Sequence, residues 1–508
     1  MKESGKIISN TIVLYIQMVL SAGISLFSTR FLLRALGVDD FGLYNLIAGV
    51  IVMLSFLNVA MAGATQRFIS FAIGKGDNKE INNVFYYSIV LHFVVAVFVL
   101  LLLEVVGRLL VGEVLSIPSN KLYLASFLIT CLSISAFTTI ISVPYQAVLN
   151  AHEKMNVIAL VAFMESVLKF LIAYRLLFYN GDRLKLYAIL MMCIPVMSFI
   201  ILRGFCRLRF CETHYKINKI GDVSFFRNIL KYASWNLLGT IANICRNQGI
   251  SVVLNMYNGV SINAAYGVAN QVNGQMGFLS SSIIRAVRPV IIKKQGAGDN
   301  EMAIKLSISC CKYTFVLVAM FTIPLLIEMP FVLKLWLVNI PDFTIIFCRL
   351  ILVVMLINQM SPGLFIAIEG TGNIKFIQTA ISIAHITIIP LGIILFHFNF
   401  PPPAIIFLMI FEEIFALIVR VAISNRLLGI NQVLFYKNTI IPMVLVSLLS
   451  IGGCFFIDSF ASGGFLGLIL MFICSIFVYN LASYYFLFEK YEKEVIAEKI
   501  AYIIQRIK

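Results

Sequence analysis

The sequence predicts an all-α polytopic membrane protein of about fourteen transmembrane helices: two parallel six-helix lobes plus two C-terminal helices. Three observations carry this. Hydrophobic residues make up 60% of the 508 and charged residues 12%, with a mean hydropathy of +0.96; a soluble domain is about 25% charged. Apolar runs long enough for a hydrocarbon core about 30 Å thick, which takes about 20 residues per helix, recur from end to end. A sequence pattern also returns at a fixed offset in the second half of the chain.

The spans fall near 10–33, 43–66, 84–110, 121–148, 155–179, 184–205, 228–256, 264–291, 304–336, 343–368, 374–398, 403–426, 439–457 and 463–487. The first follows a short basic flank, Lys2 and Lys6, and its apolar run continues to Leu36 without a small-residue cleavage site. It therefore reads as a retained helix rather than a cleaved signal peptide. The second ends at the polar loop "GKGDN" (74–78), and the sixth runs into the basic cluster Arg203, Arg207, Arg209, Lys216 and Lys219. The seventh carries "ANICRNQGIS" (242–251) where a membrane helix should be driest. The last two precede a charged tail in which Ile496, Ile500 and Ile503 are spaced to line one face, the pattern of an amphipathic helix on a membrane surface, with a solvated tail the plainer alternative.

Lysine and arginine set the orientation, because they are retained on the cytoplasmic side. With the N-terminus inside, the inner segments collect Lys75, Lys79, Lys154, the 203–219 cluster, Lys293, Lys294, Lys375, Arg426, Lys437 and the tail lysines; the outer ones collect Lys121, Arg183 and Lys185. An even number of spans leaves both termini cytoplasmic. The net charge of +15 is then a topology signal and a contact with anionic headgroups, with no nucleic-acid partner implied.

Most of the ten cysteines lie inside predicted spans, where a thiol acts as a small hydrophobe. "CRLRFC" (206–211) and the vicinal Cys310–Cys311 lack zinc-type spacing, so neither metal nor disulfide is expected. Phosphate-binding loops, zinc-protease motifs and nucleophile elbows are missing from the sequence. The expectation is a transporter that is not an enzyme, without cofactor, driven by gradients of ions or substrate.

The repeat gives the domain plan. "GKGDN" (74–78) recurs as "GAGDN" (296–300), an offset of 296 − 74 = 222, and the same offset pairs Gly37–Val38 with Gly259–Val260, Tyr44 with Tyr266, and Phe56–Leu57 with Phe278–Leu279. "VPYQAVLNAHEKMN" (143–156) faces "SPGLFIAIEGTGNIK" (361–375) at a similar offset. Six helices per copy is an even number, so the copies are parallel. The expected domains are an N-lobe (1–220), a C-lobe (221–430), two further helices (431–488) and a cytoplasmic tail (489–508). Such duplicated bundles place substrate at the lobe interface and work by rocking. A side opening beside helix one or seven is expected, with an outer gate at "GVDDFGLY" (37–44) and "GVSINAAY" (259–266).

"RFLLRALGVDDFGLYNL" (30–46), the "GKGD" loop, and "NQGISVVLNMYNGVSINAAYGVANQVNG" (247–274) resemble the Wzx-type polysaccharide and O-antigen flippases, within the multidrug/oligosaccharidyl-lipid/polysaccharide exporter superfamily that includes the MATE drug exporters. The resemblance covers nearly the whole chain. It implies a protein of the bacterial inner membrane that turns an undecaprenyl-diphosphate-linked oligosaccharide to the outer leaflet by alternating access, for assembly of a surface polysaccharide.

The intramembrane charges are read against that expectation. Arg246, near the centre of helix seven among Asn243, Asn247 and Gln248, suits forked contacts with phosphate or carboxylate. The plainer alternative is an arginine paired to a glutamate of another helix. Arg30 and Arg34 share one face at the outer end of helix one; Arg67 ends helix two; Arg285 and Arg288 lie in the inner half of helix eight, and Arg349 in helix ten. Of these, Arg30, Arg34 and Arg285 are expected to extend the substrate lining, and terminal arginines can instead snorkel to headgroups. In "MESVLKF" (164–170), Glu165 and Lys169 are one turn apart. They either neutralise each other or divide the work, Glu165 exchanging a proton or sodium ion while Lys169 faces sugar. Glu412, Glu413 and His385 are further candidates, with a packed, hydrogen-bonded histidine the plainer reading of His385. An exporter of cationic drugs would share this architecture but calls for carboxylates and aromatic faces, and a polysaccharide polymerase or ligase calls for a long outer loop.

Overall fold

A computed structural model describes residues 2–53, 55–109, 111, 121–214, 223–337, 339–460, 464–490 and 492–494. Every regular element among them is helical. Lys216, Lys219 and the tail residues Ile496, Ile500 and Ile503 lie outside the described residues. By contacts the chain divides into two compact units, Ile8–Leu237 and Leu238–Lys508, the latter taking in Met1–Ile7.

The first unit holds α1 (Lys2–Met53) from Ile8 on, α2 (Ser55–Lys75), α3 (Asn78–Leu109), α4 (Leu122–Ala151), α5 (Met155–Leu176), α6 (Arg183–Arg209) and the next helix up to Leu237. α4 is its central element, packed against α2, α3, α5 and α6. Leu128, Leu132 and Ala125 of α4 meet Leu32, Tyr44 and Ile47 of α1 and Leu184 and Tyr187 of α6, while Tyr145 and Val148 meet Phe85 of α3 and Leu202 of α6. Lipid offers no less apolar a surrounding than these side chains do, so it is dispersion contact and fit that hold the helices together. Asp182 caps α6 by accepting from the Lys185 amide, which stops α5 and α6 from merging across their short connection.

The second unit contains α7 from Leu238 on (Val223–Gly296), α8 (Asn300–Ile327), α9 (Met329–Trp336), α10 (Thr344–Gln359), α11 (Pro362–Thr371), α12 (Lys375–His397), α13 (Ala404–Leu428), α14 (Gln432–Phe435), α15 (Ile441–Asp458) and α16 (Phe465–Ala482). α13 packs on α10, α11 and α12, and α15 and α16 pack on each other and on α8.

Two predicted spans are interrupted. The 304–336 segment breaks at Glu328 into α8 and α9, between Pro324 and Pro330. Arg349 Nε and Nη2 donate to the carbonyls of Leu326 and Ile327 at 2.7 and 3.0 Å, satisfying acceptors at the end of α8. The 343–368 segment bends by 44° between α10 and α11. Pro362 removes an amide donor and disfavours helical backbone at Ser361, whose φ is −138°.

Nine helices among the described residues are long and apolar enough to cross a membrane, ten if α10 and α11 count as one bent span. The chain is a multi-pass membrane protein. α13, which carries Glu412, Glu413 and Arg420, and both limbs of α7 are not among the nine.

The repeat is visible in the backbone. α1 is kinked at Gly37 (φ 77°, ψ 172°) and α7 at Gly259 (φ 81°, ψ 178°). Gly76 (φ 72°) and Gly298 (φ 80°) close the matching turns before α3 and α8. The offset is 259 − 37 = 298 − 76 = 222. The next residue of each turn then caps the helix: Asp77 accepts from the amide of Glu80, and Asp299 from that of Met302.

Candidate functional site

Arg246 sits in the first limb of α7 and is buried at 7% exposure. One turn earlier Asn243 accepts from the Asn247 side chain at 3.2 Å, and Gln248 is exposed. Arg246 Nη1 donates to Glu412 Oε2 at 2.7 Å and Glu413 Oε1 at 3.3 Å, both on α13. The arginine is therefore paired to glutamates of another helix, the plainer of the two sequence readings. The other oxygen of Glu412 is bound by His385 Nδ1 of α12. Glu413 Oε2 accepts from Asn358 Nδ2 of α10 at 3.0 Å and lies 3.9 Å from Arg420 Nη2, whose Nη1 donates to Ser361 Oγ at 3.0 Å.

This network ties α7, α10, α12 and α13 together in the interior of one unit. Two guanidinium groups face two carboxylates, so with His385 neutral the cluster carries no net charge. A pair in low dielectric must be balanced and hydrogen-bonded to be tolerated, and here each of the four carboxylate oxygens has a partner. Within this cluster two buried donors, Arg246 Nε and Arg420 Nε, have no acceptor.

The first unit holds a second candidate, a cavity of about 310 Å³ lined by Tyr44 and by α4, α5 and α6. Ser135, Thr139, Ser142 and Gln146 enter it from α4 at spacings of four, three and four, which is one helical face. Opposite them stand Glu165 and Lys169 of α5 and Ser198 of α6. Ser198 Oγ donates to Glu165 Oε1 at 2.5 Å, so the carboxylate is held by a hydroxyl from α6 rather than paired with Lys169. Both charged groups face one cavity.

The remaining sequence candidates scatter. Arg30, Arg34 and Arg285 are exposed. Arg67 is buried against rings, its guanidinium 4.7 Å from Phe68, 4.8 Å from Phe71 and 5.5 Å from Tyr232. Arg288 Nη2 donates to the buried Glu369 of α11 at 2.7 Å. Arg349 caps α8, as described above.

Sequence reasoning missed Arg420, Asn358 and the α4 polar stripe. The stripe was readable as helical periodicity, and Arg420 lies seven positions after Glu413, on the same face of α13. Also missed was Lys312 of α8, 1% exposed, whose Nζ donates to Glu492 at 3.0 Å and Glu489 at 3.2 Å while Ser309 Oγ donates to Glu492 at 2.5 Å. These contacts fix the start of the C-terminal tail on α8. In the first unit, His152 Nε2 lies 2.6 Å from Glu212 Oε1 and its ring stacks on Phe210. Burial pushes the Glu212 carboxyl up, but its bonds to His152 and to backbone more than offset this and leave it below the ordinary range.

Residues 14–175 match the MatE family model. An uncharacterized membrane protein of Bacillus subtilis (strain 168), EpsK, is 32% identical over 105 residues, which is 20% of this chain and 20% of that protein. The match thus spans about a fifth of that relative's length. Among solved structures, a MATE protein in the bent conformation superposes with a TM-score of 0.74 at 14% identity, covering 84% of this chain and 96% of that one. A MOP superfamily transporter from Pyrococcus furiosus, whose binding pocket is described as of reverse polarity and suggestive of a different function, gives 0.69 at 14% identity over 84% and 95%. The fold of this chain is that of the MATE transporters.

Proposed function

We propose that this membrane protein is a flippase of the bacterial inner membrane, moving an undecaprenyl-diphosphate-linked oligosaccharide from the cytoplasmic to the outer leaflet by alternating access, with both termini in the cytoplasm. The observation that carries the reading is the cavity of the first unit. Its hydroxyls, from Ser135, Thr139, Ser142 and Ser198, donate to backbone carbonyls or to Glu165 and so present acceptor lone pairs, and the Gln146 amide adds a donor, the mixture a sugar ring requires. Lys169 adds a cation for an acidic sugar or phosphate, and the volume lies at the lower end of the roughly 300–1,000 Å³ of small-molecule sites. Arg246, with Asn243, Asn247 and Gln248 on the same limb, is the anion-binding element of the second unit, and Arg30, Arg34 and Arg285 are exposed cations available to the same headgroup. Glu165 is the group assigned to exchange a proton or sodium ion.

An exporter of lipophilic cations shares the fold. The groove between α12 and α13, about 420 Å³, brings Glu412 beside Phe411 and Phe415, the lining such cargo would use. That carboxylate, however, is held by Arg246 and His385 on both its oxygens. A free cation would have to displace a guanidinium.

Deletion of the gene in its host tests the reading. Lipid-linked oligosaccharide should accumulate on the inner leaflet and surface polysaccharide should be lost, both restored by the wild-type chain. Sensitivity to cationic dyes with normal surface polysaccharide would support the exporter instead.

A further inference from the structure

We infer that Glu412 and Glu413 occupy Arg246 in place of an external oxyanion, and that the His385–Glu412 pair takes up a proton when such an anion binds, so that anion and proton enter the second unit together. This rests on the proposed role of Arg246 toward the anionic part of the substrate.

Charge counting leads to it. Arg246 of α7 faces the His385–Glu412 pair directly; Tyr266 of α7 acts on Arg246, Glu413 of α13 shares its Nη1, and Arg420 of α13 with the neutral Asn358 of α10 and Ser361 of the α10–α11 break complete the cluster through Glu413. With His385 neutral, the two arginines balance the two glutamates. An oxyanion arriving at Arg246 would leave the buried cluster one negative charge in excess, which low dielectric penalises strongly. One proton from water restores neutrality. His385 Nδ1 and Glu412 Oε1 are already hydrogen-bonded, and protonation there, on imidazole or carboxylate, is a property of the pair.

Geometry makes the exchange local. Arg246 reaches both glutamates through Nη1 alone, and its Nε–H has no acceptor. When Glu412 is neutralised, its pull on Nη1 weakens while Glu413 keeps its hydrogen bond from Asn358 and its ion pair with Arg420. The guanidinium is then open to a second oxyanion, which Nε and Nη atoms can grip as a fork. No covalent bond changes: one anion and one proton are taken up, and one Glu412–Arg246 hydrogen bond is given up. Because the two bind together, each must strengthen the other by the same factor.

Full-length protein in detergent and methanesulfonate, a monovalent oxyanion that does not titrate near neutrality, provide the test. Calorimetric titration in two buffers of different ionisation enthalpy reads protons taken up per methanesulfonate. The reference for non-specific binding is the double variant Arg246→Ala with Glu412→Gln. Wild-type protein should take up about one proton per specifically bound methanesulfonate, with affinity rising about tenfold per pH unit as pH falls. Glu412→Gln should bind methanesulfonate without proton uptake and without that pH dependence. Specific methanesulfonate binding with no proton uptake, or with equal affinity at about pH 6 and about pH 8, would overturn the linkage and leave Arg246 as an anion site. Absence of specific binding to the wild type would overturn both. The wild-type measurements decide between these outcomes even where a variant fails to fold.

Discussion

Gly37 and Gly259, 222 positions apart (259 − 37), share one backbone geometry, with φ of 77° and 81° and ψ of 172° and 178°. This region is reserved almost entirely for glycine, and side chains held there cost about 1–3 kcal/mol. Neither glycine has a neighbour within 4 Å of where a Cβ would stand, so the cost of substitution is purely one of backbone. Gly37→Ala and Gly259→Ala should each lower thermal stability in detergent, whereas Gly204→Ala, equally open and at a helical angle, should be neutral or slightly stabilising. Equal behaviour of all three would mean that the kinks are not fixed by glycine.

Arg246→Ala should abolish transport and also destabilise the protein, by about 3–5 kcal/mol, because it strands buried carboxylates. Adding Glu412→Gln should recover much of the stability and none of the transport. Arg246→Lys should keep the fold and part of the activity, since the charge remains without the planar fork. Thermal unfolding and surface polysaccharide, measured on the same four proteins, separate the two roles. Full transport by Arg246→Ala would remove this residue from the path.

Lys312 and Glu492 are both buried, at 1% and 3% exposure. Lys312→Met alone should cost about 3–5 kcal/mol and loosen the tail, while Lys312→Met with Glu492→Gln should regain most of it. Protease sensitivity of the tail reads the loosening. Additive losses in the double variant would show that the pair is not coupled.

Glu165→Gln should make transport independent of the proton or sodium gradient, if that carboxylate carries the ion. Ser198→Ala, which removes its 2.5 Å hydrogen bond, should slow transport without abolishing coupling. Unchanged gradient dependence in Glu165→Gln would remove it from the coupling role.

The Glu212 carboxyl lies below its ordinary value of 4.5 in the folded protein. A depressed carboxyl stabilises the fold above that ordinary value, and the contribution fades as pH falls through the lowered one. Thermal stability should therefore decline on acidification through and below about pH 4.5, and Glu212→Gln should flatten that decline. An identical acid limb in the variant would show that the His152 contact contributes nothing.

The kinks and turns of the repeat were legible because each depends on a local residue type, glycine before valine or glycine before aspartate, returning at one offset. The interruptions at Glu328 and Ser361 were marked by prolines yet lay inside unbroken apolar runs, where periodicity alone gives no warning. Arg246 could be singled out from its helix, but its partners are 166 and 167 residues away, and hydropathy does not say which glutamate a buried arginine will meet. The α4 stripe was readable and was overlooked because serine and threonine scarcely lower the hydropathy of a span. Arg30, Arg34 and Arg285 carry the same charge signal as Arg246 and are exposed, because residue type and spacing do not say which face of a helix its neighbours will cover.

The most direct test of the proposed function is transbilayer movement in vesicles that contain only this protein and a polyprenyl-diphosphate-linked oligosaccharide placed on one leaflet. Accessibility of the sugar to a lectin on the opposite side should rise with wild-type protein and stay at the protein-free level when Ser142 and Gln146 are replaced by Val and Leu. No movement of the lipid-linked sugar, with a cationic dye carried across the same vesicles, would contradict the account.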